Sequence, residues 1–239
     1  MKSAIQGVVL TTLLLLSFWS LAAGANKARA VAAKSAAPAA PAAPLPPAWR
    51  GDPVVGREKA DAERCIECHG VDGQGQGHSN GPEGKFARLA GQDIAYFLKQ
   101  IRDFRSGARK HDQMAIMARS ITDEDAADIA AYFSGLPAMK GDAKDVSAVG
   151  RALYEQGDAS RGVVSCASCH GLDGRGSRDQ PLAPVVAGQE WRYLDKQLRD
   201  WRSGDRRNSA GQVMNAVTRA LTDAEIEALA THLSGLSGP

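Results

Sequence analysis

The chain of 239 residues is 44% hydrophobic, 23% charged and 5% aromatic, which fits one or two globular domains and excludes collagen, a wholly disordered chain and a multi-span membrane protein. Its 29 Lys and Arg against 27 Asp and Glu give a net charge of +2, but the first fifty residues hold five basic residues and no acid, leaving 24 basic and 27 acidic residues at positions 51–239. A body with net charge −3 lacks the basic field that phosphate contacts require, and nucleic acid is excluded as a partner.

Lys2 precedes an uncharged stretch from Ser3 to Asn26, with an apolar heart at Val8 to Leu10 and Leu13 to Leu16 and a small-residue run at Ala22 to Ala25. This is the layout of a secretory signal peptide, with Ala23-x-Ala25 as its cleavage site. The same stretch is long enough for an uncleaved membrane anchor, with Lys27, Arg29 and Lys34 beyond it. No Cys follows the apolar run, which excludes a lipoprotein anchor. From Asn26 to Trp49 the chain is dominated by Ala and Pro, cannot build a core and reads as an extended tether. A tether is more useful with its upstream end held, which favours the anchor, whereas the small-residue site favours cleavage.

The body is a duplication. Cys65-Ile66-Glu67-Cys68-His69-Gly70 aligns with Cys166-Ala167-Ser168-Cys169-His170-Gly171, and Ala90-Gly91-Gln92 with Ala187-Gly188-Gln189. Asp93 to Gly107 matches Glu190 to Gly204, Ile121-Thr122-Asp123 matches Leu221-Thr222-Asp223, and both halves end in Ser-Gly-Leu. The resulting boundaries are 1–25 for the signal peptide or anchor, 26–50 for the tether, 51–136 for the first domain, 137–149 for the linker and 150–239 for the second domain. Each half has few aromatics and a thin side-chain core, which a large buried cofactor would help to fill.

The pattern predicts helices and no strands. Ile94, Phe97, Leu98, Ile101 and Phe104 recur at helical spacing, as do Trp191, Leu194, Leu198 and Trp201, and Gly107 and Gly204 stop these helices. Thr222 to Glu225 spells a capping box, Thr122 to Asp125 a weaker one, and Gly135 and Gly235 follow the last turns. The loops Gly70–Gly84 and Gly171–Pro184 are glycine-rich and polar, suited to passing close to a ligand.

The chemistry lies in C-x-x-C-H, present twice. Two thiols three positions apart can bond the two vinyl groups of one haem while the adjacent imidazole reaches its iron, the pattern of c-type haem attachment. Cys65 and Cys68 with His69, and Cys166 and Cys169 with His170, are therefore expected to hold one haem each. A zinc site would leave each half needing two more ligands. A disulfide is chemically possible after export, and a thioredoxin-like motif needs a βαβ context that is missing. All four Cys of the chain belong to the two motifs, both pairs carry the His, and export agrees with attachment outside the cytoplasm.

The sixth ligand decides between carrier and enzyme. Seven residues before Ile121 and Leu221 stand Met114 and Met214, and repeat equivalence selects them as the iron's second axial ligands. Met117, one turn on, and His111 compete with Met114 in the first half. His78, in an unmatched loop with Asn80, reads as a loop residue, His232, in the place of Tyr132, as a helix-surface residue, and Met139 as packing in the linker. Arg105, Arg109, Lys110, Arg202, Arg206 and Arg207 follow matching helices and either neutralise haem propionates, steer a partner or act as solvated helix ends.

On these residues the chain resembles the dihaem cytochrome c4 family. The resemblance is carried by C-x-x-C-H-G-x-D-G in both halves, Leu89-Ala90-Gly91-Gln92, the run Tyr193-Leu194-x-x-Gln197-Leu198-Arg199-x-Trp201-Arg202-Ser203-Gly204, and the Thr-Asp helix starts; it covers residues 51 to 236 and leaves out the tether. It implies an all-α tandem of two class I cytochrome c domains, each wrapped round one covalently attached haem, related by an approximate twofold axis with the haems near the domain interface. It also implies periplasmic transfer of single electrons from a quinol-oxidising complex (quinol-cytochrome c reductase) to a haem-copper terminal oxidase. Two rivals are an electron-accepting subunit of a periplasmic dehydrogenase and a dihaem peroxidase, the second disfavoured by two equivalent methionines.

The family usually has Pro three residues before the Ala-Gly-Gln triplet, its carbonyl accepting from the proximal imidazole. Pro184 supplies it, but the first half has Ala87. The two haems are therefore expected to differ in potential.

Overall fold

The computed structural model describes residues 51–75, 86–141, 147–177 and 179–236. The leader and tether, the loop at His78 and Asn80, and linker residues 142–146 lie outside the described residues. Among the described residues no helix is long and apolar enough to cross a membrane, and the only β feature is an isolated bridge between Asp158 and Val163.

Among the described residues each half repeats one series of five α-helices. The first has α1 (Pro53–Ala62), α2 (Cys65–His69), α3 (Ile94–Ser106), α4 (Asp112–Ser120) and α5 (Asp123–Gly135). The second has α6 (Ala148–Gln156), α7 (Ala167–His170), α8 (Trp191–Ser203), α9 (Val213–Thr218) and α10 (Asp223–Gly235). Asp93 and Glu190 start α3 and α8 by accepting from the amides of Tyr96 and Tyr193, each at 2.9 Å. Gly107 and Gly204 end them in the left-handed conformation, at φ 80° and 85°. Phe97, Leu98, Ile101 and Phe104 are buried, as are Leu194 and Trp201. Ile94 and Trp191, at the head of each stripe, stand 37% exposed because the first turn reaches past the core. The Trp191 indole donates to Thr231 Oγ1 at 3.0 Å.

Both terminal helices open with complete capping boxes. Thr222 and Glu225 exchange bonds of 3.3 and 2.8 Å, and Thr122 does the same with Asp125 at 3.1 and 3.0 Å, so the shorter acid closes the box too. Gly135 and Gly235 form the last residues of these helices rather than following them, with Leu136 and Leu236 extended at the caps. α6 begins at Ala148, inside the segment the sequence assigns to the linker, and Met139 of that segment is fully buried.

The first and last helices of each half cross at a glycine. A Cβ on Gly56 would lie 1.9 Å from the Asp128 carbonyl oxygen, and one on Gly150 would lie 2.0 Å from that of Ala228. Taking these crossings as equivalent places Ala60 opposite Tyr154, and both are fully buried. The halves fill that layer differently. In the first, Tyr132 of α5 donates its hydroxyl to the Val71 carbonyl; in the second, Tyr154 of α6 donates to Gly171 O at 2.5 Å. His232 replaces Tyr132 and packs on the Tyr154 ring at 5.6 Å. The surface reading of His232 is therefore wrong: it is buried beneath Tyr154, and burial pushes its pKa down.

Between the halves, α3 and α8 exchange a near-symmetric set of polar contacts. Arg109 donates to Gln100 of its own half at 3.0 Å and across to Tyr193 and Gln197 at 2.9 and 2.8 Å. Arg206 donates to Gln197 of its own half at 2.7 Å and across to Tyr96 and Gln100, both at 3.1 Å. Each guanidinium lies over an aromatic of its own half, Arg109 over Phe104 at 4.6 Å and Arg206 over Trp201 at 4.3 Å. Both are buried, so neither is a solvated helix end.

Gly150→Ala is expected to destabilise the protein by about 1–3 kcal/mol, because the added methyl must push a backbone carbonyl aside. Gly135→Ala, whose methyl meets nothing within 4 Å, is expected to stabilise by up to about 1 kcal/mol. Thermal unfolding followed by far-ultraviolet circular dichroism separates the two.

Candidate functional site

Both C-x-x-C-H motifs fold as single helical turns, which brings the two thiols and the imidazole onto one side at i, i+3 and i+4. Arg64 enters α2 in the left-handed region, at φ 61°, pinned to Glu67 by two bonds of 2.8 Å. Gly70 and Gly171 leave the turns at φ 79° and 78°, a conformation that suits glycine. All four cysteines are free and partly buried. Burial raises Cys65 and Cys166 to about 11 each. Among the described residues no group of three or more His, Cys, Asp or Glu is placed to hold a metal ion.

The two histidines are held alike. His69 Nδ1 lies 2.8 Å from Ala87 O, and His170 Nδ1 lies 2.9 Å from Pro184 O. A carbonyl can only accept, so Nδ1 carries the proton and Nε2 keeps its lone pair. Burial pushes both pKa values down, opposed by these bonds, and the rings are neutral, the form that ligates a metal. Ala87 supplies its carbonyl as closely as Pro184 does, so the bond forms without a proline ring.

A cleft in the first half is lined by Cys65, His69, Met114 and Met117, with Phe97, Ile101 and Phe133 among its apolar walls. Met114 and Met117 both reach it, but Met117 Sδ is 3.4 Å from the Gln113 amide, and its repeat position is Val217. His111 caps α4 by accepting the Met114 amide on Nδ1 at 3.3 Å. In the second half the Met214 amide donates to Ser209 Oγ at 3.2 Å, from five residues upstream and across a short 3-10 turn, and α9 itself starts after Gln212 with no side-chain cap. Met214 is partly buried at the start of α9, which Asn215 ties to Trp201 O and Arg206 O at 2.6 and 2.9 Å.

The basic residues after α3 and α8 are mostly internal struts. Arg105 bonds Ala118 O and Ile121 O, both at 2.9 Å, and pairs with Asp123; Arg202 bonds Leu221 O at 2.7 Å and pairs with Asp223. Arg105 thereby ties α3 to both the methionine helix and the terminal helix of its half, and Arg202 ties α8 to the start of α10. Arg207 caps its own helix on Gly204 O at 2.6 Å, and Lys110 is exposed. Two functional features escape motif reading: the polar contact of α3 with α8, and the pairing of Gln92 and Gln189 across the halves. The only sequence signal for either is the identity of these residues between the repeats.

The donor set fits a covalently held haem. Each half offers two free thiols and a neutral imidazole with one nitrogen committed, and has a methionine at the head of its fourth helix; in the first half these line one apolar cleft.

The cytochrome c family pattern matches the chain twice, over residues 54–137 and 147–237. The chain is 35% identical to cytochrome c4 of Pseudomonas aeruginosa, over 78% of this chain and 89% of that protein. It is also 35% identical to the thiosulfate dehydrogenase electron acceptor of Stutzerimonas stutzeri, over 73% of this chain and 80% of that one. Among solved structures it is similar to reduced recombinant cytochrome c4 from Pseudomonas stutzeri, with a TM-score of 0.68 and 34% identity over 78% of this chain and 99% of that one. A thiosulfate dehydrogenase from Marichromatium purpuratum matches at a TM-score of 0.66 and 35% identity, with 76% of this chain and 40% of that one covered. The tandem all-α fold, the two haem-attachment motifs and these relatives lead to one conclusion: the chain belongs to the cytochrome c family, in its dihaem cytochrome c4 branch, and is an electron-transfer protein with two c-type haems rather than an enzyme.

Proposed function

We propose that Cys65 and Cys68, and Cys166 and Cys169, attach the two haems, with His69 and Met114, and His170 and Met214, as axial ligands. The observation that carries this reading is the first-half cleft, where Cys65, His69 and Met114 meet among apolar side chains. Iron held in this way exchanges single electrons between its ferrous and ferric states. The chain's own residues keep that exchange free of other chemistry. Met114 and Met214 would complete the ligation of the iron, Phe97, Ile101 and Phe133 would keep water from it in the first half, and the carbonyls of Ala87 and Pro184 hold the imidazoles in one tautomer.

In this reading the protein works in the periplasm, exported by its apolar leader and either released or tethered by residues 26–50. It carries electrons from a quinol-oxidising complex to a haem-copper terminal oxidase. A second reading, electron acceptor for a periplasmic dehydrogenase, is favoured by two relatives named thiosulfate dehydrogenase electron acceptor, from Stutzerimonas stutzeri and Thiomonas intermedia, the latter 31% identical over 79% of this chain. Rapid mixing of the oxidised protein with reduced quinol-cytochrome c reductase, or with thiosulfate dehydrogenase and thiosulfate, separates the two by which donor reduces it at a transient-complex rate.

The visible spectrum tests the ligand set. The oxidised protein is expected to show the methionine-to-iron charge-transfer band for both haems, and the reduced protein to be unchanged by carbon monoxide. Met114→Leu should open one haem per chain to carbon monoxide, whereas Met117→Leu should open none; the opposite result reassigns the ligand.

Ala87→Pro is expected to stiffen the acceptor of His69, strengthen its hydrogen bond and lower the potential of the first haem alone. One net hydrogen bond of ~1 kcal/mol sets the ceiling at roughly 40 mV. A redox titration of the full chain that leaves both potentials unmoved would show that the ring of Pro184 does not tune its haem.

A further inference from the structure

We propose that Gln92 and Gln189 are positioning residues that act across the domain boundary, each setting the hydrogen bond that orients the axial histidine of the other domain. The proposal rests on His69 and His170 being the axial ligands proposed above.

Gln92 belongs to the first half but bonds both backbone groups of Val185 in the second. Its Oε1 accepts from Val185 N at 2.9 Å and its Nε2 donates to Val185 O at 3.0 Å. Gln189 does the same in reverse with Arg88, its Oε1 accepting from Arg88 N at 2.7 Å and its Nε2 donating to Arg88 O at 2.9 Å. Both glutamines are buried, at 5% and 4% exposure, so these bonds are not exchanged for water. Each Oε1 also accepts the next amide of its own chain, Asp93 N at 3.0 Å and Glu190 N at 2.9 Å. With two N–H groups pointed at one atom, that atom is the oxygen.

The residues bonded matter more than the bonds. Val185 follows Pro184, and Arg88 follows Ala87, the two residues whose carbonyls accept from the histidines. The Val185 amide and the Pro184 carbonyl are two ends of one planar peptide unit, as are the Arg88 amide and the Ala87 carbonyl. One end of each plane is held by a glutamine of the other domain and the other end by the imidazole of its own. A hydrogen bond donated at the amide end polarises the unit and makes its carbonyl a better acceptor. Glutamine, peptide and imidazole thus form a chain of hydrogen bonds that starts in one domain and ends on the axial ring of the other, where the bond accepted from the ring's Nδ1–H sets its basicity as a ligand. The device runs both ways, and it accounts for the Ala-Gly-Gln triplet being kept in both repeats.

Gln92→Leu, which keeps the volume and removes both polar groups, is expected to weaken the bond from His170 to Pro184. The His170 ring then donates less electron density, the ferric state is less stabilised, and the potential of the second haem rises while that of the first stays in place. Gln189→Leu should raise the first and leave the second. The measurement is a redox titration of the full-length holoprotein with the haem methyl resonances followed by nuclear magnetic resonance, each haem assigned from the signals lost in Met114→Leu. As a second readout, the Nδ1 proton of His170 should exchange with solvent about tenfold faster in Gln92→Leu, and that of His69 in Gln189→Leu. If one variant does not fold, the other carries the same test. Shifts confined to the variant's own domain, equal shifts in both, or none would overturn the proposal. Parent spectra lacking a hyperfine-shifted Nδ1 proton for either histidine would overturn it together with the axial assignment, and so distinguish that failure from failure of the glutamine alone.

Discussion

The bond from each histidine Nδ1 to a backbone carbonyl is the constraint the rest of the structure serves. A buried neutral imidazole can present either nitrogen, and committing one to an acceptor makes the other available in one direction. The acceptor sits in a loop, so the loop must be held. Leu89 N bonds Gly73 O at 2.8 Å and Val186 N bonds Gly174 O at 2.7 Å, tying each acceptor loop to the turn that follows its own histidine. Those turns are closed in their own right, Gly75 N on His69 O at 2.8 Å and Gly176 N on His170 O at 2.7 Å. Two residues after Ala90 or Ala187 the loop reaches the glutamine, and then the cap of the helix that walls the core.

Comparison of the halves shows which parts of this frame are fixed and which are interchangeable. The acceptor of the methionine amide is an imidazole nitrogen of His111, three residues upstream, in one half and the hydroxyl of Ser209, five residues upstream, in the other. The phenol that reaches the turn after the histidine comes from the last helix in the first half and from the first helix in the second, with Ala60 and His232 making up the difference. The carbonyl that orients the imidazole belongs to Ala87 or to Pro184. In each case the bond survives while the residue type changes, because backbone acceptors and the space around them are what the fold preserves.

This separates what the sequence states from what it hides. C-x-x-C-H is legible because one helical turn fixes the geometry of its three side chains; Met114 and Met214 are picked out by the same count back from the start of the last helix, and the structure brings Met114 to the cleft of its half. The helix ends at Gly107 and Gly204 and the capping boxes are local in the same sense. His232 was not legible, since its burial is decided by Tyr154 on another helix. Nor were α1 and α6, whose approach to the last helix of each half is made at Gly56 and Gly150. Arg109 and Arg206 look like solvated helix ends by their neighbours in the chain, and only the approach of α3 to α8 buries them.

That approach bears on how the two halves work as one protein. The α3–α8 contact holds two buried guanidinium groups whose partners among the described residues are the neutral oxygens of Gln100, Gln197, Tyr96, Tyr193 and Asn208. Burying charge against neutral acceptors costs desolvation free energy that a hydrophobic contact would avoid, and the aromatic faces of Phe104 and Trp201 offset only part of it. What such a contact supplies is direction. Each oxygen accepts from guanidinium groups at set angles, so sliding one half against the other breaks several bonds at once, whereas an apolar contact would tolerate the slip. The glutamine pairs have the same character, since each amide matches one peptide unit and no other. A carrier whose two redox centres sit in separate domains gains most from a boundary that fixes geometry, and here that boundary is polar.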